Sequence, residues 1–138
     1  MKKLFVALMA VLVLASCGGD KKEAASAKKV GTPQEMIMLM ANTINKASVN
    51  FDKAANADDF IDAMAAMYSN LETIMTENSD LARLFDEMEE EEVARKYPAE
   101  FEAYQAAQNK FMQVMNDKME LMQNLTPEQQ ARLEAITE

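Results

Sequence analysis

The chain of 138 residues carries 23 acidic and 14 basic side chains, which gives a formal net charge of −9. This acidic balance argues against nucleic acid as a partner, because the phosphate backbone is bound by clustered lysine and arginine. The chain has no histidine and one cysteine, so it lacks the usual pairing of a nucleophile with its base. We therefore expect no catalytic residue and no cofactor.

Residues 1–16 have the layout of a secretory signal peptide. Two lysines, Lys2 and Lys3, precede an apolar run from Leu4 to Ala15. The run is too short for an ordinary membrane-spanning helix, which needs roughly 20 residues. We therefore expect residues 1–16 to direct export and then to be removed.

The segment Leu14-Ala15-Ser16-Cys17 resembles the lipobox of bacterial lipoproteins. In that family a signal peptidase cleaves before the cysteine, after the cysteine sulfur has been joined to a diacylglycerol. The resemblance implies that Cys17 is lipidated. Stable anchoring takes more than one acyl chain, and a diacylglycerol carries two, so we expect the protein to stay on a membrane. Gly18 stands where an aspartate usually retains such proteins in the inner membrane. The resemblance therefore implies an outer-membrane anchor in the cell envelope, with the domain facing the periplasm or exposed at the surface.

Residues 17–31 are expected to form the lipidated cysteine and a flexible tether. Residues 18–29 read GGDKKEAASAKK and combine small residues with four lysines, Asp20 and Glu23, a composition typical of a flexible linker. From Val30 onward, 21 acidic residues outweigh 8 basic ones. The acidic charge thus belongs to one domain, residues 32–138, that follows the tether.

The domain is predicted to be all-α. It has no glycine after Gly31 and is rich in strong helix formers. Its prolines stand at predicted helix starts, and both Thr32-Pro33 and Thr126-Pro127 open a capping box. We predict an elongated antiparallel bundle of three long helices plus a short C-terminal helix, with the helices at 33–55, 58–95, 98–124 and 127–136.

Each long helix carries a seam of residues at alternating steps of three and four, the spacing of coiled-coil packing. We expect the seams to face one another and to leave most acidic side chains in solvent. The three seams are Ile37, Met40, Ile44, Ala47, Phe51 and Ala54; Phe60, Met64, Met67, Leu71, Ile74, Asn78, Leu81, Phe85 and Met88; and Phe101, Tyr104, Gln108, Phe111, Met115, Lys118, Met122 and Leu125.

The second predicted helix is longer than its neighbours, at about 55 Å for 1.5 Å per residue. Either the molecule is elongated or this helix breaks near Asn78-Ser79. The polar Asn78 on the seam either fixes the register, as a buried asparagine can, or marks the break. The acidic run Glu89–Glu92 is interpreted as a solvated helix face and end.

Methionine is unusually abundant, and eleven of the thirteen methionines follow the signal peptide. Met112, Met115, Met119 and Met122 form a stripe on the third predicted helix and are the candidate partner-binding residues. Three interpretations are open: core packing, an adaptable surface for apolar protein or peptide clients, or a Cu(I) site, since thioethers are soft ligands.

The sequence Leu125-Thr126-Pro127-Glu128-Gln129 resembles the L-T-x-x-Q motif of the Spy/CpxP family of periplasmic stress proteins. The resemblance implies a small all-helical protein that binds unfolded clients or senses envelope stress. The leading hypothesis is thus a non-catalytic interaction or chaperone-like module. The alternatives are a Cu(I)-binding envelope protein and a structural or assembly protein that acts as a homodimer.

Overall fold

The computed structural model describes residues 29–137, and within this range the chain is all-helical with no strand. The predicted signal peptide and Cys17 lie outside the described residues. Six α-helices pack together, and none of these described helices is long and apolar enough to span a membrane. They are α1 (Pro33–Lys53), α2 (Ala57–Glu77), α3 (Ser79–Glu87), α4 (Glu90–Lys96), α5 (Pro98–Lys118) and α6 (Pro127–Thr137), with a 3-10 turn at Met119–Met122 before α6.

Helix α1 begins at the predicted capping box. The Glu35 backbone N–H donates to Thr32 Oγ1 over 3.2 Å, and the Thr32 N–H donates to Glu35 Oε2 over 3.2 Å. The Gly31 N–H also donates to Glu35 Oε2, over 2.9 Å. Donors at a helix start have no partner within the helix, so these bonds set the first turn.

The second predicted helix is not continuous. Helix α2 ends at Glu77, because Asn78 leaves the helical conformation with φ −120° and ψ 40°. Its side-chain Nδ2 donates to the Ile74 carbonyl over 2.9 Å, and its Oδ1 accepts from the Val30 N–H over 2.8 Å. An asparagine side chain that bonds the backbone competes with the helix ladder. The helix expected over 58–95 is therefore wrong, and the alternative of a break at Asn78-Ser79 is correct.

A second break, which the sequence pattern did not indicate, separates α3 from α4. Met88 is extended, with φ −93° and ψ 137°, and the acidic run becomes the start of α4 rather than the end of a long helix. Three glutamates in a first turn are favoured by the partial positive charge of the helix N-terminus. One of them, Glu92, lies 2.6 Å from Lys96 Nζ. The hydrogen bond and positive charge of Lys96 hold the pKa of Glu92 below its usual value.

Two buried clusters form the core, and α1 contributes to both. Cluster one joins the first half of α1 to the first half of α5, the end of α2, and α3 and α4. Cluster two joins the second half of α1 to the first part of α2 and to the end of α5. Helix α1 therefore runs antiparallel to α2 but in the same direction as α5, because α2 ends and α5 begins near the starting end of α1.

The seams of α1 and α2 are largely where the spacing predicted them. All six seam residues of α1 are buried, and within cluster two Phe51 makes edge contacts with Phe60 and Phe111 at centroid distances of 4.9 and 5.4 Å. The polar Lys118 on the α5 seam donates from Nζ to the Ala54 carbonyl over 2.9 Å. A lysine that caps the C-terminal end of α1 is favoured by the helix dipole, which accounts for its place on the seam.

Candidate interaction surface

The methionine stripe is divided by the edge of the core. Met112 and Met119 have 55% and 60% of their surface exposed. Met115 and Met122 are half-buried and pack against cluster two. The predicted helix over 98–124 ends as α5 at Lys118, and the last two methionines of the stripe lie in the 3-10 turn. Two of the four candidate residues are thus exposed, and the other two pack against the core.

The exposed methionines lie in a row of uncharged side chains that runs along α5 and ends at the first residue of the 3-10 turn. The row consists of residues at steps of four and three: Gln105, Asn109, Met112, Asn116 and Met119. The first four share one face of α5, Met119 follows at the start of the 3-10 turn, and all five are exposed. Amides on either side of the thioethers offer hydrogen bonds without charge. We call this row the neutral stripe.

Charge is distributed unevenly between the helices. Residues 57–96, which contain α2, α3 and α4, hold twelve acidic and three basic side chains. By contrast, α1 holds two of each sign, and α5 holds three acidic and two basic side chains. The two helices that run in the same direction therefore form a nearly neutral part of an otherwise acidic molecule.

The buried polar groups have structural partners. The Tyr104 hydroxyl is buried and accepts a hydrogen bond from Gln108 Nε2 over 2.9 Å. Burial, and next the nearby Glu90 carboxylate, raise the pKa of Tyr104 well above its ordinary value. Within residues 29–137, no buried side-chain nitrogen or oxygen lacks a hydrogen bond, and no group of three or more acidic side chains is arranged to hold a metal. The polar groups of the core are accounted for by the fold.

The surface also contains a polar contact that sequence reasoning missed. Arg132 of α6 reaches Asp58 and Asp62 of α2, and Gln129 donates from Nε2 to Asp58 Oδ2 over 3.2 Å. One feature of the sequence points to it: Arg132 is the only basic residue after Lys118. A lone arginine on an otherwise acidic terminal segment favours a specific carboxylate partner.

The L-T-x-x-Q segment forms the predicted capping box of α6. The Gln129 N–H donates to Thr126 Oγ1 over 3.2 Å, and the Thr126 N–H donates to Gln129 Oε1 over 3.0 Å. No protein-family model matches the chain, and neither does any curated protein or solved structure. The resemblance to the Spy/CpxP family therefore depends on residues 125–129 and stays a prediction. The lipobox residues Leu14, Ala15, Ser16 and Cys17 lie outside the described residues.

Proposed function

We propose that this chain is a lipid-anchored protein of the cell envelope that binds apolar segments of other proteins, as a non-catalytic interaction or chaperone-like module. The observation that carries the proposal is the exposure of Met112 and Met119 on the neutral stripe. Methionine is unbranched and polarisable, so exposed methionines adapt to apolar partners of varied shape. The lipobox resemblance at Cys17 supplies the location.

The distribution of charged side chains also favours the neutral stripe as the client-binding surface. A client with exposed apolar side chains gains little from contact with α2–α4, where acidic residues hold water strongly. The neutral stripe offers thioethers and amides, and neither requires removing water from a charge. The acidic remainder of the domain keeps the protein soluble by repulsion between copies. This division of roles favours client binding at α5.

The test compares matched methionine variants in an aggregation assay. The domain fragment 29–138, confirmed as helical by circular dichroism, is added to a reduced, aggregating client protein and light scattering is followed. We expect the wild-type fragment to slow aggregation and M112S/M119S to lose at least half of that effect. The control is M38S, because Met38 is an exposed methionine of α1 at 38% exposure. No suppression by the wild-type fragment, or equal loss in the control, contradicts the proposal.

A specific observation favours Cu(I) binding as a second candidate function. Cluster two gathers Met64 and Met67 of α2 with Met115 and Met122 from the end of α5 and the turn that follows. Thioethers from two chain segments in one cluster are the ligand type that suits Cu(I). Titration under reducing conditions should then show tight binding that M64L/M115L abolishes, since leucine keeps the volume but removes the sulfur. Micromolar or weaker binding removes this candidate.

A further inference from the structure

Helix α6 is attached to the bundle differently from the other helices. It has no buried residue, whereas α1 buries eight. Gln129 and Arg132 contact α2, and Leu133 and Ile136 share their face of α6, because the four residues follow the helical spacing i, i+3, i+4 and i+7. Leu133 and Ile136 are half-buried. The contact therefore combines two aliphatic side chains with a polar pair.

The polar part of the contact is exposed to solvent. Arg132 donates to Asp58 Oδ1 over 2.8 Å and also to Asp62, so one guanidinium joins two carboxylates. The side chains of Arg132, Asp58 and Asp62 are 41%, 58% and 69% exposed. Exposed ion pairs are screened by salt and stabilise only weakly. The polar part of the contact is therefore sensitive to charge and to salt.

Near the α6 contact, α2 carries a fully buried aliphatic residue. Ile61 has 0% exposure, yet it belongs to neither core cluster. It follows Asp58 by three residues, so it neighbours Asp58 on the surface of α2.

The capping bonds at the start of α6 are local to that helix. Its capping box is formed by Thr126 and Gln129, both at its own N-terminus. Residues 123–126 link it to the 3-10 turn without helical structure. This arrangement allows α6 to leave α2 while its first turn stays capped.

We propose that α6 is a removable cover, and that the α2 flank beneath it is a docking site for a helical segment of a partner protein. This site, which we call the Ile61 flank, comprises Ile61, Asp58 and Asp62. Because α6 already occupies this flank, its own face indicates the chemistry of the occupant. We expect a helix with aliphatic side chains one turn apart and a basic side chain on the same face. The carboxylates of Asp58 and Asp62 favour a basic side chain in the occupant, and Ile61 favours an aliphatic one. This surface is distinct from the neutral stripe.

The first experiment measures the attachment of α6 in the full chain in detergent micelles. Amide hydrogen exchange is compared for the wild type, R132Q and the control K110Q, which removes the same charge from an exposed position of α5. We expect R132Q to raise exchange at least threefold in residues 127–137 and 57–64, with α1 and α5 unchanged. K110Q should match the wild type. Equal protection in R132Q and the wild type overturns the removable cover.

The second experiment tests the occupant with a peptide of residues 125–138 that carries a photo-reactive benzoylphenylalanine in place of Leu133. Covalent capture detects weak binding, and mass spectrometry locates the cross-links. We expect cross-links in residues 57–68 of the R132Q chain, at least threefold more than in the wild-type chain. A peptide with R132Q should lose most of them. Equal capture of both peptides, or cross-links spread along the chain, overturns the docking site.

These readouts are independent of the client assay. If cross-linking at the Ile61 flank succeeds while the wild-type domain fails to slow aggregation, the docking site stands and the proposed chaperone-like function fails. If aggregation is suppressed through Met112 and Met119 while α6 stays protected in R132Q, the proposed function stands and the removable cover is overturned.

Discussion

Replacing Asn78 with alanine should destabilise the domain by about 1–2 kcal/mol. Asn78 is 5% exposed and joins the break between α2 and α3 to Val30, through the bond from the Val30 N–H to Asn78 Oδ1. Its second side-chain bond, from Nδ2 to the Ile74 carbonyl, matters less, because that carbonyl also accepts the Asn78 backbone N–H over 3.1 Å. The variant therefore leaves one donor, the Val30 N–H, without its partner.

The magnitude follows from that donor. A net hydrogen bond contributes roughly 0.5–1.5 kcal/mol, and a buried donor left without a partner costs about 1–3 kcal/mol. The Val30 bond is only part-buried, so the lower half of that range applies. For a domain of this size we expect the melting temperature to fall by roughly 4–8 °C.

Thermal and urea unfolding followed by circular dichroism would measure the change. The matched control is Asn109→Ala, because Asn109 is an exposed asparagine inside α5 and alanine there should be neutral or slightly stabilising. A stability of Asn78→Ala equal to that of the wild type or the control would refute the structural role of Asn78. The break would then be maintained by other contacts.

Three further variants test other parts of the molecule. Phe51→Ala removes a fully buried ring from cluster two and should cost about 3–5 kcal/mol, seen as a large fall in the urea midpoint; a fall below 1 kcal/mol would contradict the core. Burial raises the pKa of Tyr104, so the unfolded state loses this proton first and stability should fall above about pH 10. Tyr104→Phe should make that fall shallower. If the urea midpoint varied with pH from 9 to 11 in the same way in Tyr104→Phe and in the wild type, this role of Tyr104 would be contradicted. Cys17→Ser should abolish incorporation of labelled fatty acid and release the chain from the membrane fraction, whereas retained label would disprove lipidation at this residue.

Local sequence chemistry determined where α1, α5 and α6 begin. Pro33, Pro98 and Pro127 each stand at the first helical position, because proline's fixed φ suits that position and its missing N–H is not needed there. The α1 seam was also predictable, since residues spaced by three and four share one face whatever they pack against. These features depend on neighbours within a few residues, so no knowledge of the fold was required.

The candidate site depended on tertiary packing. The spacing placed Met112, Met115, Met119 and Met122 on one stripe, but the position of α1 and α2 beside α5 decided which two are half-buried and which two are exposed. The break at Met88 redirects the chain. The contact of Arg132 with Asp58 and Asp62 joins segments that are distant in the chain. A repeating apolar pattern continues through such a break, and a charged residue does not specify its partner. Periodicity thus determined which faces are apolar, while the parallel placement of α1 and α5 decided what each face contacts, because that placement arises only when the whole chain packs.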